Sequence, residues 1–110
     1  MALDISQIVG QMLNAALPIL TQGGADVGDY AKTEFDKIAK RIEYIAEQTA
    51  LQKLSVDEAK ILLQMQANLT KSALLVVEGL GDIVIEQAVN AALGVVRSVV
   101  NGALGFGLIV

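Results

Sequence analysis

The last third of the chain is almost free of charged residues. Between residues 73 and 110 the ionisable side chains are only Glu78, Asp82, Glu86 and Arg97. On a helical projection these four follow steps near four and seven, together with Asn90 and Asn101, and they trace one slowly drifting polar stripe. The rest of the circumference is apolar, which is typical of a helix that is buried on most sides.

Length and composition favour a small all-α protein. A chain of 110 residues is one domain, and it has material for only a modest core. Hydrophobic residues make up 54% of the chain but aromatic residues only 4%. This apolar content of Ala, Val, Ile and Leu suits the packing of helix on helix better than a pocket lined by rings.

Several classes of function are excluded by what the chain lacks. It has no Cys and no His, so a disulfide framework, a thiolate nucleophile, a typical zinc site and a Ser-His-Asp triad are impossible. The net charge of −4 argues against nucleic acid as a partner, since that role needs a concentrated basic face. We therefore expect no enzyme, cofactor, metal or small-molecule substrate.

The N-terminal third predicts a helix followed by a loop. A short amphipathic helix is expected in residues 1–20, where Asp4 and Gln7 form a capping-box pattern and Pro18 weakens the last turn. Residues 21–29 are rich in Gly and predict a flexible loop without a phosphate-binding fingerprint. The first residues carry no basic segment typical of a signal peptide, so we expect synthesis in the cytoplasm, with the final location, membrane-associated or released, left open.

Residues 30–51 and 56–104 predict an antiparallel helical hairpin. The first of these helices has a seam that alternates steps of three and four: Phe35, Ile38, Ile42, Ile45 and Thr49. The second begins at a capping box formed by Ser55 and Glu58. The short link between the two helices implies that they run antiparallel.

The sequence allows two lengths for the second helix of the hairpin. Its expected seam consists of Leu62, Met65, Leu69, Ala73, Val76, Leu80 and Val84. Gly79 and Gly81 interrupt this seam. Each glycine destabilises a helix by about 1 kcal/mol relative to alanine. The helix either stops near Gly79, with a fourth helix from Asp82, or continues to about residue 103, roughly 70 Å. We favour a continuous, bent, hydrophobic C-terminal helix.

Such a helix is too apolar for one hairpin partner to cover, and this shortage motivates the main functional hypothesis. We expect a structural protein that assembles with itself into an oligomer, tube or filament through its apolar C-terminal half. The expected apolar assembly surface consists of Leu80, Val84, Ala88, Ala91, Val95, Val99 and Phe106. The polar stripe, consisting of Glu78, Asp82, Glu86, Asn90, Arg97 and Asn101, would then lie between subunits.

The alternative hypothesis is a membrane-active protein of the holin-like or pore-forming kind. In that case the polar stripe would line a water-filled pore, and a lipid membrane would be the partner. Residues 88–110 are long enough to span a bilayer. A central Arg97 costs roughly 2.5–3.5 kcal/mol in lipid, and flanking basic anchors are absent, so self-assembly is favoured.

Overall fold

The computed structural model describes residues 3–21, 24 and 26–110. Those residues form four α-helices and no strand: α1 (Ile5–Ala16), α2 (Val27–Ala50), α3 (Val56–Leu74) and α4 (Asp82–Leu104). The all-α prediction is therefore confirmed. Residues 1, 2, 22, 23 and 25, which belong to the predicted first helix and Gly-rich loop, lie outside the described part of the chain.

The helices pack as a closed ring of four. Helix α1 contacts α2, α2 contacts α3, α3 contacts α4, and α4 closes the ring against α1. This is the arrangement of a four-helix bundle, with extents of 42 × 22 × 19 Å. Consequently α2 and α4 stand at opposite corners of the bundle, as do α1 and α3.

The first helix is shorter than the sequence suggests. Its N-terminus is capped by Asp4, whose carboxylate accepts a hydrogen bond from the Gln7 backbone N–H at 3.1 Å. It ends at Ala16, and Pro18 lies in the turn that follows, where it has no backbone N–H to continue the helical hydrogen bonds. Helix α2 already begins at Val27, so Gly28 is helical and the predicted loop of residues 21–29 is shorter than expected.

The hairpin of α2 and α3 is present as predicted. Phe35, Ile38 and Ile42 are fully buried along α2. At the start of α3 the Ser55 hydroxyl accepts from the Glu58 backbone N–H at 3.1 Å, and the Glu58 carboxylate accepts from the Ser55 backbone N–H at 2.9 Å. The hydrogen bond from the Ser55 backbone N–H, with a smaller contribution from the Ser55 hydroxyl, lowers the pKa of Glu58, because it stabilises the ionised carboxylate.

The expectation of one continuous helix over residues 56–104 is wrong. Helix α3 ends at Leu74, and the chain reverses over residues 75–81. Gly79 has a φ of +92°, in the left-handed region that favours glycine, and Gly81 is extended where it caps α4. The reversal lets α4 fold back into the bundle and bury one apolar side. In a straight helix over residues 56–104, that side would have no partner to cover it.

The residues after α4 are held against the bundle by a side-chain clamp. Gly105, with a φ of +80°, ends the helix in a left-handed cap. The Asn101 amide donates to the Ile109 carbonyl at 2.9 Å, and its oxygen accepts from the Ile109 N–H at 2.9 Å. Leu108 and Ile109 are buried. These two apolar residues after α4 are thus covered within one chain, whereas Val110 is fully exposed.

This clamp yields a stability prediction. Replacing Asn101 with Ala removes both hydrogen bonds and leaves the buried Ile109 backbone without partners, so we expect a loss of about 1–3 kcal/mol in the free energy of unfolding. Urea denaturation measures the loss, and faster hydrogen exchange of the Ile109 amide locates it. Asn90→Ala, an exposed position on the same helix, is the matched control. Equal stability and exchange in the two variants would contradict the role of the clamp.

Candidate functional site

Helix α3 turns an apolar row toward solvent. Ile61, Met65 and Leu69 stand at successive four-residue steps, and their exposed fractions are 60%, 56% and 61%. Four-residue spacing places them on one side of the helix, opposite the bundle core. We call these three residues the apolar row. A contiguous apolar surface of this kind marks an interaction site more often than scattered exposed side chains do.

The side of α3 that faces the core is mostly apolar, but it also holds two polar residues, Gln66 and Thr70. Its buried residues are Ala59, Leu63, Gln66, Ala67, Thr70 and Leu74. The predicted seam through Met65 and Leu69 is therefore wrong, because α3 presents a different side to its neighbours. Two alanines on the inward side let the helices approach closely, and this compensates for the smaller apolar area.

The inward side also carries an energetic cost. Thr70 is fully buried, and its hydroxyl has no hydrogen-bond partner among the described residues. Leaving such a group unsatisfied costs about 1–3 kcal/mol. Gln66 is also buried. Helix α3 therefore buries these two polar residues together with Leu63 and Leu74, while Ile61, Met65 and Leu69 remain outside.

The apolar exposure continues at the end of the bundle where α3 turns into α4. Leu75 and Val76 are exposed in the connection, and Ile83 in the first turn of α4 is 73% exposed. We call these three residues the apolar end. Together with the apolar row they bring the large, exposed apolar side chains between Ile61 and Ile83 to six.

The predicted polar stripe is only partly assembled by the fold. Asp82, Glu86, Asn90 and Arg97 are exposed along α4. Glu78 lies in the connection and not on the helix, so the stripe does not extend to it. The side chain of Asn101 is engaged by the Ile109 backbone, which corrects its expected place between subunits or in a pore.

The predicted apolar assembly surface is likewise divided. Leu80 and Ala88 are buried in the chain's own core, so their expected role at an outer surface is wrong. Val84, Ala91 and Phe106 are partly buried. Only Val95 and Val99 are as exposed as an interaction surface requires. The reversal at residues 75–81 causes this division, because it gives α4 neighbours on one side.

A groove between α2 and α3 gathers positive charge next to the apolar row. It is lined by Lys37, Lys40, Arg41, Tyr44 and Gln66. The Arg41 guanidinium lies 5.6 Å from the centre of the Tyr44 ring, within the range of a cation–π interaction. This cationic groove was missed from the sequence, although the four-residue spacing of two of its basic side chains on α2 is a signal for it.

The ion pairs of the described chain lie on α2. Lys37 pairs with Glu34 at 3.0 Å and Lys40 with Asp36 at 2.9 Å. The hydrogen bond and charge of Asp36 raise the pKa of Lys40. Across the part of the chain that the structure describes, Asp82, Glu86 and Arg97 make no ion pair.

A second groove of about 290 Å³ lies between α3, α4 and the C-terminal residues, and its polar groups come from Lys60, Gln64 and Asn90. Among the described residues there is no group of three or more Asp, Glu, His or Cys side chains able to hold a metal ion. Carboxylates, amides and amines on exposed helix faces can form ion pairs and hydrogen bonds with a partner.

Helix α4 meets the length and composition of a membrane span. It has 23 residues, and 33% of the residues in its most apolar 18-residue stretch are buried within the bundle. The same pattern is found in core helices of soluble proteins, so the location of the protein stays open. No family model, curated protein or solved structure matches the chain.

The unsatisfied hydroxyl inside the bundle gives a second prediction. Thr70→Val keeps the shape of the side chain and removes the buried polar group, so we expect an unchanged or higher free energy of unfolding, by up to about 2 kcal/mol. Thr49→Val is the matched control, because the Thr49 hydroxyl donates to the Ile45 carbonyl at 2.8 Å and loses that bond. Thermal and urea unfolding measure both. A clear destabilisation by Thr70→Val would mean that its hydroxyl has a partner.

Proposed function

We propose that this protein is a non-enzymatic structural protein that assembles with itself into an oligomer, tube or filament. The apolar row on α3 carries the proposal. Its residues are exposed although the same helix buries Gln66 and Thr70. A lone bundle gains stability when its large apolar side chains point inward, so a helix that buries two polar residues and exposes three large apolar ones is better suited to a chain that is covered by a partner.

The apolar row alone is too small to hold two copies together. Covering the exposed part of each residue in the apolar row contributes on the order of 1 kcal/mol. The three together come to only about 3 kcal/mol, which is less than the cost of immobilising two molecules. The apolar end and further contacts are therefore needed, and Leu75, Val76 and Ile83 extend the available surface at the bundle end.

The surroundings of the apolar row suit a protein interface. Glu58, Gln64 and Asn68 are exposed around it on α3. Protein interfaces have an apolar centre, often with Met, and a polar, solvated rim. Met65 at the centre of the row, with polar side chains around it, follows this pattern.

Sedimentation in detergent-free buffer tests the proposal. We expect the wild-type protein to sediment as an oligomer and Met65→Lys to sediment as a monomer at the same concentration, because a charge at the centre of the apolar row must be desolvated on association. Gln64→Lys places the same charge on an adjacent exposed position of α3 and is expected to leave assembly intact. Circular dichroism checks that both variants keep their helices. A stable wild-type monomer at high concentration would contradict the proposed function.

A membrane-active role is the second candidate, and helix α4 is the observation that favours it. Asp82–Leu104 has the length and hydropathy of a span. For such a helix to enter lipid, it must leave the bundle, because Val89, Val96 and Val100 are buried against the other helices. The exposed polar residues of α4, from Asp82 to Arg97, would then face a water-filled pore formed by several copies.

Vesicle experiments separate the two candidates. Since assembly is favoured, we expect no flotation with neutral or anionic vesicles and no release of a trapped dye. The pore would be supported instead if the wild-type protein sediments as a monomer and releases the dye, and if the Arg97→Glu variant does not release it. Arg97 is exposed in the bundle, so its replacement is expected to leave the fold intact.

A further inference from the structure

We infer that two copies associate head to tail, with the first turns of α4 of one copy docked in the cationic groove between α2 and α3 of the next. This inference rests on the proposed self-association and names the two surfaces that meet. The partner is a second copy of this chain, and complementary charge is the observation that identifies it.

The receiving surface is the cationic groove. The side chains of Lys37 and Lys40 are 56% and 68% exposed, even though each pairs with a neighbouring carboxylate. Arg41 has no carboxylate within 4 Å among the described residues, and its only recorded contact with an aromatic ring is that with Tyr44. Its charge is thus available to a partner.

The apolar row borders this groove. Gln66 lines the groove from the α3 side, and Leu69 follows it by three residues. Residues three apart on a helix are neighbours, so Leu69 lies beside Gln66, on the α3 side of the groove. A partner that presents an apolar residue next to carboxylates fits this surface.

The first two turns of α4 present that combination. Asp82 and Glu86 are exposed, one helical turn apart, and the highly exposed Ile83 lies beside them. Within the described chain no Lys or Arg nitrogen lies within 4 Å of either carboxylate. Lys37 and Arg41 are also one turn apart on α2. Both pairs therefore have a spacing of about 6 Å, which allows two ion pairs to form together when the helices pack side by side.

The positions of the two surfaces decide the kind of assembly. Helices α2 and α4 stand at opposite corners of the ring, so the groove and the acidic turns face in different directions. A two-fold dimer requires one self-complementary patch, whereas two separate complementary patches give head-to-tail contacts. Repetition of this contact produces a closed ring or an open filament.

Charge also favours a protein partner over a lipid surface. The chain has a net charge of −4, and its unpaired carboxylates on α4 are repelled by an anionic bilayer. A lipid surface that bound the cationic groove would leave Asp82 and Glu86 without partners. A second copy satisfies both surfaces at once.

Charge reversal on each surface tests the inference. We expect Arg41→Glu and Glu86→Lys each to raise the dissociation constant of assembly about tenfold or more, since each places like charges across the contact. An equimolar mixture of the two variants is expected to regain assembly, because the reversed surfaces are again complementary to each other. Sedimentation velocity measures all three samples, and Glu47→Lys, an exposed position on α2 outside the groove, is the control for net charge.

The outcomes distinguish this inference from the proposed function. If Met65→Lys dissociates the oligomer while both charge reversals leave it intact, self-association stands and the head-to-tail contact is refuted. If the mixture fails to recover although each variant remains folded by circular dichroism, the two surfaces do not meet. The inference would also be overturned if the wild-type protein is a monomer that floats with anionic vesicles and the Arg41→Glu variant does not float. This result would assign the groove to lipid.

Discussion

Each helix in a ring of four helices packs against two neighbours and can bury only one of its sides. Helix α3, however, has large apolar residues on two sides. The inward side carries Leu63 and Leu74, and the outward side carries Ile61, Met65 and Leu69. Because α2 and α4 occupy the flanks of α3, none of the four described helices covers the outward row. The fold therefore determines that this surface meets solvent or a partner, whichever residue types line the core.

The break between α3 and α4 changes which part of the chain has uncovered apolar side chains. With a continuous helix, the C-terminal segment would be the uncovered part. The reversal at residues 75–81 instead buries Ile85, Val89 and Val96 against the bundle, and the Asn101 clamp secures the residues that follow α4. What remains uncovered on α4 is a smaller surface that includes Ile83 and Val99. The motive for assembly thus lies mainly on α3.

The sequence was informative where structure is determined locally. The seam of α2 and the capping box at Ser55 depend on residues three or four apart, and both are present. The choice between the two sides of α3 was not predictable, because Leu63 and Met65 are equally apolar and only the neighbouring helices decide between them. The hydrogen bonds of Asn101 were missed for the same reason, since their partner is brought close by the left-handed turn at Gly105.

The helix break was visible in the sequence as Gly79 and Gly81, yet local propensity did not decide it. Two glycines cost a continuous helix about 2 kcal/mol, an amount that packing readily outweighs. Burial of several large side chains of α4 is worth more than this penalty, at about 1.5–3 kcal/mol for each. The turn therefore forms because it gives α4 an apolar neighbour, and the left-handed conformation of Gly79 makes that turn accessible.

The proposed assembly of an acidic chain raises an electrostatic problem, and the proposed head-to-tail contact addresses it. Copies with a net charge of −4 repel one another at long range, but this repulsion is screened beyond about 8 Å at physiological ionic strength. Contacts between Arg41 and the carboxylates of α4 act at much shorter distance, where screening is weaker. A contact of this kind also removes unpaired charges from both surfaces while it covers Leu69 and Ile83. Local complementarity can therefore overcome the net charge, and it gives the apolar surfaces a defined register that hydrophobic contact alone does not provide.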